Sequence, residues 1–395
     1  MKKILFLIIV FLYSSVSAMD IYSNNAILYN LNEDSVIYEK NSDDIVQIAS
    51  LTKIVTAITV IENVSNLDDR VTIKYDMLTG LDGYAKIGLQ VGDSLSYREL
   101  LYLLILNSVG DAAKALAISV GGSIDGFSVL MNDKVSKIGV NNTKFDNPVG
   151  MDSINNYSTV SDLAIILKYC LNNKIFKEIF DADEYYIKSL NVMAKKTVRQ
   201  TGIKYNLDTT RITGAKTGFT YDAGNCLAST SSYDGIDYLL VTTNAPIDYP
   251  YHVVDAINVY DYYENNYAYL TILSKDELLY KIPIINSDEE YYEVKADYNI
   301  IKYLKKDTDL SNIEYRYSGI SNITNNIKNG EYLGHIDIIL DNNILDSYDV
   351  YLNKDIKYKN NNILDVILIV IFVIIALLIF LIFIKNRANR LKKSF

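Results

Sequence analysis

The sequence predicts a mixed α/β (α+β) fold: an antiparallel sheet flanked by a helical subdomain, followed by a small all-β domain and one transmembrane helix. Runs of strand character stand before and after a long helical stretch, so the N- and C-terminal strands are expected to share one sheet. From about residue 267, short β-type runs alternate with Asn, Asp, Ser and Gly turns. Residues 366–384 carry no charge and are long enough to span a bilayer.

The individual elements follow from apolar spacing and turn signals. A hairpin is expected over residues 25–40, turning at 32–34, and a helix begins at Ser50. Further helices are predicted over residues 96–106, 111–117, 123–138, 158–171 and 251–263, with Asp111 capping the second of these. Strands are predicted over residues 212–217, 227–230 and 238–243, and in the small domain over 269–273, 279–284, 291–295, 332–340 and 345–352.

The two ends predict where the protein resides. A basic start, an apolar run to Leu12 and the small residues Val16-Ser17-Ala18 are typical of a secretory signal cut after Ala18. The basic tail after the apolar C-terminal segment is expected to stay in the cytoplasm, which leaves both domains outside the cell membrane. The predicted segments are a signal peptide (1–18), the α/β domain (19–265), the β-rich domain (266–360), a single-pass transmembrane helix (363–384) and a cytoplasmic tail (385–395).

Composition excludes several classes of protein. The net charge of −10 argues against nucleic-acid binding, which needs clustered Lys and Arg. Cys170 and Cys226 are the only cysteines, which excludes a disulfide framework and a Cys-based metal cluster. One bridge between them and two buried thiols both remain open, and buried thiols are favoured.

Ser50-Leu51-Thr52-Lys53 is the first candidate catalytic element. Positions i and i+3 share one helix face, so the Lys53 amine can lie beside the Ser50 hydroxyl. An amine surrounded by apolar residues loses its proton more easily and can then deprotonate the serine. The alternative interpretation is an N-cap serine followed by a surface lysine.

Three further features bear on that choice. Lys216-Thr217-Gly218-Phe219 would lie on a strand edge, where an extended peptide can add to the sheet. Lys216 and Thr217 can hold a carboxylate, Gly218 permits close approach, and the Phe219 N–H can join that of Ser50 as an oxyanion donor. Ser108 offers a second hydroxyl in a loop between helices. His252 is expected in the helix that covers the sheet and His335 in the β-rich domain, neither near a nucleophile motif, so lysine is the base left available.

Together these motifs resemble the serine D-alanyl-D-alanine carboxypeptidases, the low-molecular-mass penicillin-binding proteins. The resemblance is carried by Ser50-x-x-Lys53, by Ser108, by Lys216-Thr217-Gly218 and by two segments, residues 142–150 and 157–164. It covers residues 22–262, and more loosely the β-rich domain, where residues 327–334 resemble the family's C-terminal module. It implies a β-lactamase/transpeptidase-like fold and an enzyme that acts without metal or cofactor.

The resemblance also implies roles for single residues. Ser50 would be the acylating nucleophile, Lys53 its general base, Ser108 a proton relay, and residues 216–218 the substrate-binding strand. The expected activity is removal of the terminal D-Ala from peptidoglycan stem pentapeptides, with β-lactams as covalent inhibitors. No Glu stands between Phe145 and Asp162 to deacylate the enzyme as in class A β-lactamases, so bound β-lactams are expected to persist.

One position departs from the family pattern. The middle motif is usually Ser-x-Asn, and here Gly110 replaces the asparagine. This motivates a first alternative, a catalytically weak penicillin- or muropeptide-binding protein, with Asn107 and Asp111 as the nearest substitutes for the missing side chain. A second alternative is a DD-endopeptidase that cuts cross-links.

Overall fold

The computed structural model describes residues 19–359 and 363–391. The predicted signal peptide therefore lies outside the described residues, as do the last four residues of the predicted tail. The described chain divides into two compact units between Asn265 and Asn266.

The first unit combines a helical half with one principal sheet. Its helices are α1 (Thr52–Asn63), α2 (Tyr97–Leu106), α3 (Gly110–Gly121), α4 (Ile124–Ile138), α5 (Val160–Leu171), α6 (Lys174–Asp181), α7 (Thr197–Tyr205) and α8 (Tyr251–Asn266). Its strands are β1 (Asn25–Asn30), β2 (Ser35–Lys40), β3 (Arg70–Thr72), β4 (Ser94–Ser96), β5 (Glu184–Ile187), β6 (Val192–Lys195), β7 (Ala215–Thr220), β8 (Gly224–Tyr233) and β9 (Ile236–Ala245).

The principal sheet is antiparallel and five-stranded, in the order β2-β1-β9-β8-β7, so the first and last strands of the unit share it as predicted. Alternate residues of β9 face opposite sides of the sheet. Leu239 and Val241 join the hydrophobic core shared with the helical half. On the other side, Tyr238 packs near Tyr260 of α8, whose phenol hydrogen-bonds Ser229 at 2.9 Å. The strand β7 lies at one edge of the sheet.

Helix α1 is the centre of the helical half. Residues Thr52 to Ile61 are all buried, and α2, α3, α4 and α5 pack around them. A 3-10 turn, Ala49–Leu51, leads into the helix. The structure therefore corrects the prediction that Ser50 begins the α-helix, because Leu51 is its N-cap and no side chain caps it.

The predicted hairpin, the helices at Ser96, Ser123 and Ser158, and the three late strands are confirmed with ends shifted by a few residues. Asp111 does not cap α3, since Val109 is its N-cap. The prediction also missed β5, β6, α6 and α7. Both cysteines are buried and free.

The second unit is an all-β domain followed by one helix. Its strands are β10 (Tyr267–Leu273), β11 (Leu278–Pro283), β12 (Tyr291–Lys295), β13 (Ile300–Lys305), β14 (Glu314–Gly319), β15 (Tyr332–Leu340) and β16 (Asn343–Tyr351). They pair as β10-β13, β11-β12 and β14-β15-β16 around a separate hydrophobic core that includes Ile282, Ile336 and Val350. Two of these strands, β13 and β14, were not predicted.

Helix α9 (Ile363–Leu391) follows the all-β domain. It contains a stretch, Val366–Arg387, that is long and apolar enough to cross a membrane, and no other single helix of the described residues is. The apolar side chains from Val366 to Ile384 are exposed, as a membrane-spanning surface would be.

Candidate active site

Ser50 lies at the base of a cleft, in the 3-10 turn before α1. The preceding Ala49 has φ +46°, a left-handed conformation that residues with a Cβ rarely adopt. Such strained backbone is found most often at functional sites, where the surrounding structure enforces it. The turn is held between β7 and the loop that precedes α5.

Lys53 is completely buried, and its Nζ lies 2.7 Å from Ser50 Oγ. The amine also donates to the Val149 carbonyl at 2.6 Å. No carboxylate pairs with it among the described residues, so burial lowers the Lys53 pKa to about 7. The predicted pair is therefore in place, and the alternative of a surface lysine is wrong.

The loop that carries Val149 is tied down by side chains of the resemblance segments. Asp162 accepts from the Asn142 N–H and the Thr143 hydroxyl, each at 2.8 Å. The Asn147 side chain accepts three successive backbone N–H groups, and Thr56 of α1 donates to the Pro148 carbonyl at 2.8 Å. These contacts fix the carbonyl that orients Lys53.

Gly150 follows at the closest approach of this loop to the nucleophile. Its φ is +85°, and a Cβ there would overlap the Ala49 carbonyl. We expect Gly150→Ala to lower the free energy of unfolding by about 3 kcal/mol, measured by circular dichroism in urea. The matched control is Gly139→Ala, where φ is +96° and a Cβ meets nothing within 4 Å. Equal effects of the two substitutions would contradict the close-approach explanation.

Strand β7 forms the opposite wall and approaches the 3-10 turn closely. A Cβ on Gly218 would lie 3.0 Å from Ser50 N and 3.2 Å from Ala49 Cβ, so a larger residue would press on the nucleophile's backbone. The next residue, Phe219, is half-exposed at the rim. Because β7 is an edge strand, it can accept an extended peptide along its open side.

Lys216 is the second buried amine of the site. Its Nζ donates to Ser108 Oγ at 2.7 Å and to the Thr217 carbonyl at 2.6 Å. Burial first, and then the charge of Lys53, lower its pKa well below the usual value. The Thr217 hydroxyl hydrogen-bonds the Thr197 hydroxyl of α7 at 2.8 Å, a contact that the sequence analysis did not predict.

Five of the predicted residues line one cleft of about 790 Å³ within the first unit, and the fully buried Lys53 and Lys216 lie behind its surface. Ser50, Ser108, Thr217, Gly218 and Phe219 all contribute to its lining. Walls that the sequence did not predict come from residues 82–85, from α7 and from residues 247–252. His252 is among them, contrary to the expectation that it lies away from the site. Its burial lowers the pKa to about 4, and Ser50 pairs with Lys53 rather than with it.

Gly110 begins α3 behind Ser108, which itself has φ +57°. The Gly110 N–H donates to the Ala85 carbonyl at 2.8 Å. A Cβ on Gly110 would lie 3.2 Å from Tyr84 Cβ and 3.3 Å from Leu81 Cδ2. A side chain at this position would therefore press on Tyr84 and Leu81, in the loop before β4.

We expect Gly110→Asn to lower D-Ala release by several-fold rather than to raise it, since Tyr84, which lines the cleft, must shift to admit the side chain. Release from a peptide ending in D-Ala-D-Ala measures this. Gly110→Ala is the control, because its Cβ requires a shift of only a few tenths of an ångström. An increase in Gly110→Asn would show that the loop yields freely.

Comparison with solved structures finds proteins of similar fold. The crystal structure of the D-alanyl-D-alanine carboxypeptidase DacD from Francisella tularensis superposes with a TM-score of 0.67 at 21% identity, covering 86% of this chain and 95% of that one. At this identity the likeness shows the fold.

Sequence comparison shows the family. Residues 13–247 match D-alanyl-D-alanine carboxypeptidase (peptidase S11), and residues 267–358 match the penicillin-binding protein 5 C-terminal domain. The chain belongs to the D-alanyl-D-alanine carboxypeptidase family of serine peptidases, which confirms the predicted resemblance.

Two curated relatives illustrate the range of the family. D-alanyl-D-alanine carboxypeptidase DacF of Bacillus subtilis (strain 168) is 24% identical over 315 residues, covering 78% of this chain and 79% of the relative. D-alanyl-D-alanine endopeptidase of Escherichia coli (strain K12) is 29% identical over 244 residues, covering 62% of this chain and 77% of the relative.

Proposed function

We propose that the protein is a membrane-anchored serine carboxypeptidase that removes the terminal D-Ala from peptidoglycan stem pentapeptides. The observation that carries this is the 2.7 Å contact between Ser50 Oγ and a buried Lys53 amine that pairs with no carboxylate among the described residues, beside an open edge strand. At neutral pH a substantial fraction of that amine is neutral, so it can accept the serine proton.

The reaction follows from this geometry. The Ser50 proton passes to Lys53 Nζ as Oγ attacks the carbonyl of the penultimate D-Ala, and the N–H groups of Ser50 and Phe219 stabilise the oxyanion. The C–N bond then breaks, and the departing D-Ala amine receives the proton through Ser108. Water adds to the acyl-ester with Lys53 again taking a proton, and the ester bond breaks to regenerate Ser50 and release the shortened peptide.

Lys216 and Thr217 would hold the C-terminal carboxylate of the substrate. The carboxylate of a β-lactam would bind there too, and its ring carbonyl would acylate Ser50. With no glutamate in the loop before α5, we expect the acyl-enzyme to persist. Turnover of nitrocefin measures this, and rapid hydrolysis would contradict it.

The proposed location is the outer face of the cell membrane. Helix α9 supplies a candidate span, and the basic residues after Ile384 favour a cytoplasmic C-terminus. Protease digestion of intact spheroplasts tests the orientation, since both units should be cleaved without lysis of the cells.

The activity is tested with the full-length protein in detergent, by measuring D-Ala release from a pentapeptide ending in D-Ala-D-Ala. Release is expected in the wild type. Covalent labelling by penicillin without release would instead favour a weakly active binder. That alternative arises because Gly110 replaces the usual asparagine of the middle motif.

Cleavage of cross-links is a second candidate, favoured by the relatives named endopeptidase. The open edge of β7 is compatible with a peptide that continues past the scissile bond. Digestion of purified sacculi, followed by separation of the muropeptides, decides between the two. Loss of cross-linked dimers would add the endopeptidase activity, and loss of pentapeptides alone would support the carboxypeptidase.

A further inference from the structure

Asn107 is a polar side chain of the cleft, and neither the oxygen nor the nitrogen of its amide has a hydrogen-bond partner among the described residues. Its Oδ1 is buried, and the residue lines the cleft next to Ser108. A buried polar atom without a partner is costly, so its presence calls for an explanation.

The backbone around Asn107 is well held. The residue is the C-cap of α2, and its N–H donates to the Leu103 carbonyl at 3.2 Å. The next residue, Ser108, is locked in its left-handed conformation and bonded to Lys216. The side-chain amide is therefore presented from a rigid position while remaining free to rotate about its last torsion without losing a bond.

The other residues that could replace the missing asparagine side chain are not available to a ligand. Asp111, the other substitute for the missing asparagine, is buried and accepts the N–H groups of Gly88 and Leu89 at 3.0 and 3.3 Å. Gly110 has no side chain, and Tyr84 fills the space beside it. Of the residues near the middle motif that could replace the missing asparagine, Asn107 is the one whose side chain can still hydrogen-bond a ligand.

We propose that Asn107 binds a peptide group of the substrate on the acyl side of the scissile bond; this rests on the proposed function. A side-chain amide offers one acceptor and two donors, which match the N–H and C=O of a peptide unit. The substrate would lie between the open edge of β7 and Asn107, with its carbonyl over Ser50. Asn107 would thus recognise the peptide chain and take no part in the acylation chemistry.

Two β-lactams separate recognition from chemistry. Benzylpenicillin carries a peptide-like amide side chain, and 6-aminopenicillanic acid has the same bicyclic nucleus and carboxylate without that amide. We expect Asn107→Leu to slow acylation by benzylpenicillin about tenfold and to change acylation by 6-aminopenicillanic acid by less than threefold. The kcat/KM for a pentapeptide should fall by a similar factor of about ten.

The matched control is Asn63→Leu, the same chemical change at the exposed end of α1, where both probes should react as in the wild type. Equal slowing of both probes in Asn107→Leu would overturn the inference and indicate a structural effect on Ser108, and so would unchanged rates with both. A wild type that neither probe acylates would instead contradict the proposed function.

Discussion

Replacing Ser50 with alanine is expected to abolish covalent labelling by a fluorescent penicillin and to lower D-Ala release by about 10⁴-fold or more. The hydroxyl is the atom that forms the acyl-ester, and a methyl group cannot replace it. The 3-10 turn depends on backbone contacts, so the variant should fold normally. Gel fluorescence after incubation with the probe measures the labelling.

The control for this variant is Ser136→Ala, a serine exposed on α4 outside the cleft, which should label as the wild type does. Persistent labelling of the Ser50→Ala variant would show that another residue is acylated. Ser108 would then be the first residue to test, since it also lines the cleft beside a buried amine.

Replacing Lys53 with methionine is expected to slow acylation by about 10³-fold, within the range for loss of a general base. Methionine nearly retains the length of the side chain and can be buried in the same place, but it cannot accept a proton. The variant should also be more stable than the wild type at neutral pH. Burial lowers the lysine pKa in the folded state only, so the unfolded chain gains a proton that the folded chain does not.

The sign of that stability change follows from the two pKa values. The destabilisation by Lys53 is fully present below about pH 7, and it fades as the pH rises toward 10.5, where the unfolded lysine also loses its proton. Thermal melts of the two proteins at pH 7 measure the difference. A variant with both low activity and a lower melting temperature would indicate misfolding rather than loss of a base.

The same pKa predicts the pH dependence of the wild type. Only the neutral amine accepts the Ser50 proton, so the acylation rate should rise tenfold per pH unit below about 7 and level off above it. Rates of penicillin labelling between pH 5.5 and 9 measure the profile. A rate that falls over this range would exclude Lys53 as the base.

Much of the site was predictable because its side chains have local signatures. The three-residue spacing of Ser50 and Lys53 places them on one face whether the turn is 3-10 or α-helical. The error in the predicted helix start therefore did not affect the prediction that the two side chains lie together. The apolar run after Ser50 implied a buried lysine, and Lys216-Thr217-Gly218 identified the strand that faces it. The all-β domain was visible from its turns.

What the sequence could not show depends on backbone groups and on distant packing. The Val149 carbonyl that orients Lys53 has no side-chain signal. Helix α7 is rich in polar residues, including Thr197 and Thr201, and lacks the apolar spacing that predicts a buried helix. Tyr84 meets Gly110 only because the loop before β4 folds over α3, and nothing in the local sequence specifies that contact.

Under the proposed function, two buried amines without carboxylate partners among the described residues would also link substrate binding to proton uptake. The carboxylate of a bound substrate would supply a counter-charge and so raise the pKa values of Lys53 and Lys216. By linkage, the protein takes up protons as it binds, and its affinity for the carboxylate falls as the pH rises. Binding therefore favours a lower pH and proton abstraction a higher one. We expect their balance to give an optimum near neutrality, set by two buried lysines rather than by a histidine.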